Sequence, residues 1–278
     1  MKHIILILFI SLNTVLVLAQ DNPEEIYSKG MQAFTGKDYK TAEAYFDKYL
    51  KLNPDSAKGY FSKGETQLFY KNYDTAVDFF TKAVEKDENY IRAYTDRGIT
   101  YMLLGKSDEA FQDFRKALEI APQDMVAFNA MAIAYSQLNK IQEALELLDK
   151  AIQIDPNYTE SYRNRGVLYF YSGDTLKSLQ DLNRAIVLNS NDPVLYNARG
   201  GLYRAMGKYK IAITDFDKAI ELDNNNAEAY CRRGVAYLYL GQFDRAIKDM
   251  KHGLKIDPSL EPDVKEYLEQ AEKKREEE

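Results

Sequence analysis

The sequence has few of the residues that carry most enzyme and metal chemistry. Among 278 residues there are one cysteine, Cys231, and two histidines, His3 and His252. A single cysteine cannot form an intramolecular disulfide, and histidine-based metal sites and Cys–His or Ser–His nucleophile pairs lack their parts. Gly105 is followed by Lys106-Ser107, but Gly98 lies seven residues before Gly105 rather than the five that a phosphate-binding loop requires. We therefore expect no enzyme activity, no metal and no cofactor.

Positive charge is also scarce. The chain carries 37 lysines and arginines against 43 aspartates and glutamates, which gives a formal net charge of −6 at pH 7. Proteins that bind nucleic acids neutralise the phosphate backbone with clustered lysine and arginine side chains. The charge balance disfavours such a partner, and we expect no binding to nucleic acid.

Long hydrophobic runs are missing after residue 20. At the N-terminus, an apolar run over residues 4–10, a weaker run to Leu18 and the small Ala19 have the pattern of an export signal. We predict a signal peptide over residues 1–19, because the segment has about 16 apolar positions rather than the roughly 20 of a membrane span. The protein is then exported, periplasmic or secreted, with no stable membrane insertion after cleavage. The alternative is an uncleaved N-terminal segment that anchors the chain in the membrane.

What the sequence does contain is an ungapped repeat of 34 residues. Seven copies can be laid out, with the bounds 23–56, 57–90, 91–124, 125–158, 159–192, 193–226 and 227–260. If each copy is numbered from place 1 to place 34, place 8 is always Gly or Ala and place 20 is always Ala or Ser. Place 4 is aromatic in six copies, and place 11 is Tyr in the last five. A fixed period of this length is typical of helical repeat arrays.

Each copy has the pattern of two amphipathic helices joined by a tight turn. Places 4, 8 and 11 share one helix face, and places 20, 24, 27 and 28 share a face of a second helix. We expect small side chains at places 8 and 20 to accommodate large ones from the neighbouring helix. A left-handed residue near place 15 is predicted to end the first helix, and the candidates are Gly105, Asn139, Gly173, Gly207 and Gly241, with Gly36 one place earlier in the first copy. The charged segment 261–278 is predicted to be a capping helix and tail.

The pattern resembles the tetratricopeptide repeat (TPR) family over residues 23–260. The third copy shows the match at Gly98, Tyr101, Ala110, Phe114 and Pro122, while Tyr and a basic residue usually replace the family's Trp and Leu. The resemblance implies an all-α fold, a right-handed α-solenoid of seven helix-turn-helix hairpins plus a C-terminal capping helix. It also implies that the first helices line a concave groove, which takes an extended peptide or a helix of a partner.

In proteins of this family the groove is lined chiefly by places 2, 5, 9, 12 and 13. The residues that we assign to partner binding on this basis are Tyr27, Phe34, Phe61, Phe69, Asn129, Arg163, Tyr171, Asn197, Arg204 and Tyr239. Apolar pockets would hold ligand side chains, while asparagine and arginine would bind the ligand backbone or a carboxylate. The alternative is that individual aromatics pack on the neighbouring repeat. The clamp that some members use for a terminal carboxylate, with Lys at place 5 and Asn at place 9, is absent.

Arginine at place 7 varies together with aspartate at place 23. The four pairs are Arg97 with Asp113, Arg165 with Asp181, Arg199 with Asp215 and Arg233 with Asp249. The fourth copy has neither residue and carries Met131 and Leu147 instead. Because both members change together, we predict a structural ion pair between helices rather than an anion-binding site.

The expected function is a non-enzymatic scaffold or adaptor of the cell envelope, which binds a peptide or a partner protein in the groove. The alternative is a structural subunit that self-associates, through exposed repeat ends or through segment 261–278, and forms part of an envelope assembly.

Overall fold

The chain is helical throughout the part that the structure describes. A computed structural model describes residues 22–277, and every regular element in this range is a helix. The predicted signal peptide, residues 1–19, lies outside the described residues. The chain divides into two compact units, with the boundary between Asp124 and Met125.

The first unit contains three helical hairpins. Their first helices are α1 (Pro23–Thr35), α3 (Ala57–Phe69) and α5 (Ile91–Leu103), and their second helices are α2 (Tyr39–Leu52), α4 (Tyr73–Lys86) and α6 (Ser107–Ile120). The second helix of one hairpin also packs on the first helix of the next, α2 on α3 and α4 on α5. Each hairpin therefore buries its apolar faces both internally and against its neighbour.

The second unit contains four hairpins and a final helix. Its first helices are α7 (Met125–Gln137), α9 (Thr159–Tyr171), α11 (Pro193–Ala205) and α13 (Ala227–Tyr239). Its second helices are α8 (Ile141–Ile154), α10 (Thr175–Leu188), α12 (Tyr209–Leu222) and α14 (Phe243–Ile256). A 3₁₀ turn, Pro258–Leu260, leads into α15 (Glu261–Glu276). The prediction of an all-α array of helix-turn-helix hairpins is confirmed.

A left-handed residue at place 15 forms the turn inside each hairpin. The φ angles there are 58° at the asparagine and 71–85° at the glycines, and the residues are Gly105, Asn139, Gly173, Gly207 and Gly241. In the first two hairpins Lys37 (φ 63°) and Lys71 (φ 59°) adopt this conformation. The prediction that Gly36 supplies the left-handed residue is wrong, because its φ is −75°. The position in the hairpin, rather than the presence of glycine, determines the turn.

Small residues at place 8 allow close contact with the large residue at place 24 of the second helix. A Cβ atom on Gly64 would lie 2.5 Å from the ring of Phe80, and one on Gly98 would lie 2.6 Å from the ring of Phe114. Both phenylalanines are fully buried. The predicted accommodation of large side chains is confirmed, and a larger residue at Gly98 would overpack the hairpin at a cost of about 1–3 kcal/mol.

The predicted ion pairs between the helices of a hairpin are present in all four copies. Arg97 donates from Nε and Nη2 to the two oxygens of Asp113, at 2.8 and 2.7 Å. Bidentate bonds of the same kind join the pairs Arg165–Asp181, Arg199–Asp215 and Arg233–Asp249. The four aspartates are buried, so each carboxylate depends on its arginine for charge compensation. The prediction of structural pairs is confirmed.

Helix α15 packs on the last hairpin of the second unit. Val264 and Ala271 are buried in a cluster with Val235 of α13 and with Ile247 and Met250 of α14. Lys251 forms an ion pair with Glu272 at 2.7 Å. The apolar side of α15 therefore covers side chains of α13 and α14.

Candidate functional site

A recess lies between first helices of the second unit, and we call it the arginine recess. Its volume is about 360 Å³, and α9, α10, α11 and α13 contribute to its lining. Four of the residues predicted to bind a partner lie here together, namely Arg163, Tyr171, Asn197 and Arg204. The sequence placed them at corresponding positions of two successive copies, and the structure brings their side chains to one cavity.

Two departures from the repeat pattern form the floor of the arginine recess. Place 24 is Phe in four copies but Leu182 in the fifth, and place 20 is Ser178 where six copies have Ala. Both residues line the recess. The shorter Leu182 leaves room that a phenylalanine ring fills in other hairpins, and Ser178 places a hydroxyl at the bottom. Sequence reasoning did not assign these two residues to the site, although their departure from the pattern was visible.

The arginine recess contains three buried polar atoms without a hydrogen-bond partner. They are Oγ of Ser178, Oδ1 of Asn197 and Nε of Arg204. No other buried side-chain nitrogen or oxygen in residues 22–277 is unpaired. An unpaired buried polar group costs about 1–3 kcal/mol, so three of them in one cavity favour a ligand that completes their hydrogen bonds.

The charges around the arginine recess are unbalanced. Three arginines and one glutamate line it. Glu228 is engaged by both Asn197, whose Nδ2 donates to it at 2.8 Å, and Arg232, with which it forms an ion pair. Arg163 donates only to Asn164 Oδ1, at 3.3 Å. Within residues 22–277 neither Arg163 nor Arg204 is paired with a carboxylate, so the lining carries a formal charge of +2.

A smaller apolar pocket lies beside the arginine recess in the same unit. Its volume is about 160 Å³, and Ala132, Ile133 and Leu148 contribute to its lining. Val167 lines both cavities. Leu148 occupies place 24, so this pocket also lies where the usual phenylalanine is replaced by leucine. The two cavities together offer one apolar and one basic compartment.

Tyr171 stands at the rim of the arginine recess with 74% of its surface exposed. Its ring lies 5.5 Å from that of Phe170 in a tilted contact within α9. Two of its equivalents at place 13 stack on the preceding hairpin instead, Phe69 on Tyr39 at 4.0 Å and Tyr239 on Tyr209 at 4.9 Å between ring centroids. In the hairpin that precedes Tyr171, the place that holds Tyr39 and Tyr209 in the other two cases is occupied by the aliphatic Ile141. Tyr171 therefore offers an aromatic face that a partner can cover.

The remaining predicted residues of the second unit lie elsewhere. Asn129 is buried, donates to Ser161 Oγ at 2.9 Å and accepts from Asn164 at 2.9 Å. These bonds join α7 to α9, and they use both ends of the Asn129 amide. Tyr239 is half-exposed but stacked on Tyr209. Neither residue lines the arginine recess.

In the first unit the predicted residues mostly pack between helices. The Tyr27 hydroxyl is 3.0 Å from Ser62 Oγ, which joins α1 to α3. Phe61 is 2% exposed and lies 5.6 Å from the Phe80 ring. Phe34 meets Phe69 edge-on at 5.3 Å, and Phe69 is 53% exposed. Of these four residues, Phe69 presents the largest exposed surface, whereas Phe61 belongs to the core.

A half-buried acidic pair in the first unit, Glu65 and Asp96, was not anticipated from the sequence. Burial raises the pKa of Glu65 to about 7 and that of Asp96 to about 6. Arg92 is 3.1 Å from Glu65 and 4.0 Å from Asp96. Burial thus shifts both carboxyl groups toward the protonated form, while the nearby Arg92 favours their ionised form. Arg92 and Asp96 lie four residues apart on α5, and the ion pair from Arg92 to Glu65 on α3 joins the three residues into one cluster.

Other chemistry-bearing groups do not assemble into a reactive centre in the described part of the chain. Cys231 is buried, and burial raises the pKa of its thiol to about 11. His252 packs against the ring of Tyr230 at 4.4 Å. Residues 22–277 contain no group of three or more His, Cys, Asp or Glu residues placed to hold a metal ion. Over the same range, no helix combines the length and apolar character needed to cross a membrane.

These features define a class of protein, a repeat of helical hairpins whose cavities lie between successive first helices. Family models for the tetratricopeptide repeat match residues 27–91 and 129–193, residues 89–157 and residues 227–260, and a TPR repeat model matches residues 200–241. The chain belongs to the tetratricopeptide repeat family. This membership supports a protein–protein interaction scaffold, and the fold is typically that of a non-enzymatic one.

Solved structures share this fold at low sequence identity. The APC/C hetero-tetramer Cut9–Hcn1 matches with a TM-score of 0.70 and 18% identity, over 90% of this chain and 46% of that chain. A tetratricopeptide repeat protein from Parabacteroides merdae matches with a TM-score of 0.69 and 23% identity, over 90% of this chain and 98% of that chain. A thermophilic TPR protein of Thermus thermophilus matches with a TM-score of 0.61 and 22% identity, over 66% of this chain and all of that chain.

This chain thus spans less than half of the chain in the first of these structures. No curated protein matches the sequence. At these identities the likeness shows the fold alone, and function has to be argued from the residues of this chain.

Proposed function

We propose that this protein is an exported, non-enzymatic scaffold of the cell envelope that binds an extended segment of a partner protein in the arginine recess. The observation that carries the proposal is the set of three unpaired buried polar atoms, on Ser178, Asn197 and Arg204, inside one cavity. A folded chain gains by pairing such atoms, and a peptide backbone supplies both donors and acceptors.

The surroundings of the recess favour a peptide over a compact small molecule. Tyr171 offers an exposed aromatic face at the rim, and the apolar pocket at Leu148 shares the lining residue Val167 with the recess. An extended segment can place one side chain in each cavity while its main chain follows the first helices. Exposed aromatic and arginine side chains are also the residues that most often dominate protein interfaces.

The N-terminal pattern supports export. The apolar run over residues 4–10 and the small Ala19 fit a signal peptide, and export would place the scaffold in the periplasm or outside the cell. Fractionation of the source cells followed by N-terminal sequencing tests this part. We expect the protein in the envelope or medium with Gln20 as its first residue, and recovery from the cytosol with residues 1–19 attached would refute export.

Crosslinking pull-down from native envelopes tests the binding site. The test variant combines Tyr171→Ala with Arg204→Met, and the matched control is Leu176→Ala, which removes an exposed side chain (68%) from α10. We expect the wild type and the control to recover the same partner and the test variant to lose it. Identical partner sets from all three proteins would exclude the arginine recess as the binding surface.

A further inference from the structure

We propose that the arginine recess recognises an acidic side chain, aspartate or glutamate, within the bound segment. This inference rests on the proposed function and names the chemistry of the residue that enters the cavity. Leu182 and Ser178 provide the space and the floor, while Arg204 and Asn197 provide the hydrogen bonds. The argument has three steps, which concern space, hydrogen bonding and charge.

The space arises because leucine replaces phenylalanine at place 24. In hairpins with phenylalanine, a Cβ on the facing glycine would lie 2.5–2.7 Å from the ring, as for Gly200 and Phe216. The corresponding distance from Gly166 to Leu182 Cγ is 3.1 Å. Leu182 is buried and lines the recess, and the larger side chain of a phenylalanine at this place would take up part of the recess. A side chain of the ligand can occupy this space.

The unpaired atoms specify which groups the ligand must bring. Nε of Arg204 can only donate, so it requires an oxygen or another acceptor. Oδ1 of Asn197 is an amide oxygen and can only accept, and the bond from Nδ2 of the same amide to Glu228 fixes its orientation. Asn197 is 4% exposed, so a partner reaches its Oδ1 through the recess. A carboxylate side chain accepts from Arg204, a main-chain N–H of the same segment donates to Asn197, and Ser178 can donate to the second carboxylate oxygen.

The charge of the lining favours a carboxylate over a neutral amide. Arg163 and Arg204 have no carboxylate partner within residues 22–277, and Glu228 is already engaged by Arg232. Hydrogen bonds between a guanidinium and a carboxylate are about twice as strong as neutral ones. A lysine side chain in the same place would meet two uncompensated arginines and be rejected.

Peptide pools test the inference directly. The probes are hexapeptide pools blocked at both ends, so that no terminal carboxylate is present, with one central position fixed as Asp, Glu, Asn, Gln, Leu or Lys. Binding to the wild type is measured by fluorescence anisotropy. We expect the Asp or Glu pool to bind about tenfold more tightly than the matching Asn or Gln pool, which corresponds to about 1.4 kcal/mol.

Two variants connect this preference to the named residues. Arg204→Met removes the donor, and Leu182→Phe fills the cavity with the residue that four other hairpins carry at the same place. We expect both to lose the acidic preference, and Leu176→Ala to keep it. Thermal melts of each variant test whether it is folded. If Leu182→Phe does not fold, the result for Arg204→Met alone decides whether the named residues cause the acidic preference.

The possible outcomes are distinct. Equal binding of acidic and amide pools, or an acidic preference that survives Arg204→Met, overturns this inference while the proposed function stands. Failure of every pool to bind the wild type overturns the inference, and together with an unchanged partner set in the pull-down it overturns the proposed function as well. Concentration-dependent dimerisation of this chain that the acidic pool reverses would assign the recess to self-association and overturn a separate partner.

Discussion

Arg165 shows how one residue of the repeat holds three helices together. From α9 it donates through Nε and Nη2 to Asp181 on α10, at 2.7 and 2.8 Å, and through Nη1 to Asp149 on α8, at 2.6 Å. These hydrogen bonds raise the pKa of the Arg165 guanidinium. Asp181 is 6% exposed, whereas the Asp149 side chain is about half exposed, so the bond to Asp181 is the one that water cannot replace.

A double-mutant cycle at this pair tests the structural role. We expect Arg165→Met to lower the free energy of unfolding by about 3–5 kcal/mol, because it leaves the buried Asp181 carboxylate without its partner. Asp181→Leu should also lower it, but by less, because Arg165 keeps its bond to Asp149. The double variant should recover much of the loss, since the fourth copy already has Met131 and Leu147 at these places. Chemical denaturation measures all four proteins. Additive losses in the double variant would show that the two residues do not act as a pair.

The half-buried carboxyl group of Glu65 predicts a pH-dependent stability. Burial raises its pKa from 4.5 to about 7. The folded protein therefore holds more protons at Glu65 than the unfolded chain does between these pH values, and its stability falls as the pH rises across this window. We expect Glu65→Gln to raise the free energy of unfolding by about 1–3 kcal/mol at pH 8 and by little at pH 4.

Thermal melts at the two pH values check this difference, and Glu119→Gln serves as the control because the Glu119 side chain is 71% exposed. The stability difference between Glu119→Gln and the wild type should be the same at pH 4 and pH 8. A stability difference for Glu65→Gln that is the same at both pH values would contradict the assignment.

At the scale of elements, the fit between the two helices of a hairpin depends on places 8 and 24 together. In four of the six hairpins that have glycine at place 8, a phenylalanine ring packs against it, as Phe216 does against Gly200, and in the other two Leu182 and Met250 do so. The fourth hairpin instead combines Ala132 with Leu148, and both side chains are fully buried. The alanine methyl occupies the volume that a ring would need, so the two positions are coupled.

This coupling predicts opposite results for the same substitution in neighbouring hairpins. We expect Leu148→Phe to lower the free energy of unfolding by about 1–3 kcal/mol through overpacking against Ala132. Adding Ala132→Gly should restore part of the loss. Leu182→Phe faces Gly166 and should be tolerated. Denaturation midpoints of the four proteins measure these effects, and equal losses in Leu148→Phe and Leu182→Phe would show that place 8 does not control the fit.

The fold could be predicted from the sequence because its determinants recur at fixed spacing. Gly98 with Phe114 and Arg97 with Asp113 each repeat in several copies, and repetition distinguishes a structural pair from coincidence. The turn at Gly36 was misplaced, since the hairpin geometry imposes a left-handed φ on Lys37 despite the adjacent glycine. A rule about residue types cannot show which of two neighbouring residues the packed helices force into that conformation.

The candidate site was predictable only in part. Family positions indicated Arg163, Asn197 and Arg204, but the same reasoning selected Asn129 and Phe61, which are buried between helices. Whether a side chain at place 5 faces a cavity or a neighbouring helix depends on the size of the residues around it. The depth of the arginine recess depends on second-helix residues, and no rule about first-helix positions includes them.

At the scale of the whole molecule, the repeat provides a regular frame, and single copies depart from it at a few positions. Helix lengths and spacing are the same in all seven hairpins, and the pairs that hold the helices together recur in both units. The arginine recess arises where the fifth copy departs from this frame, and it is basic within a chain of net charge −6. We therefore place partner recognition in the departures and stability in the repeated residues.

Site-specific photo-crosslinking in the source cells tests the central claim most directly. A photoreactive phenylalanine analogue replaces Tyr171 at the rim of the arginine recess or, in the control, Leu176 on α10, where exposure is similar. If the recess is the binding surface, irradiation yields a crosslinked partner from position 171 and none from position 176. Crosslinks from position 176 alone, equal crosslinks from both positions, or none from either would contradict the account.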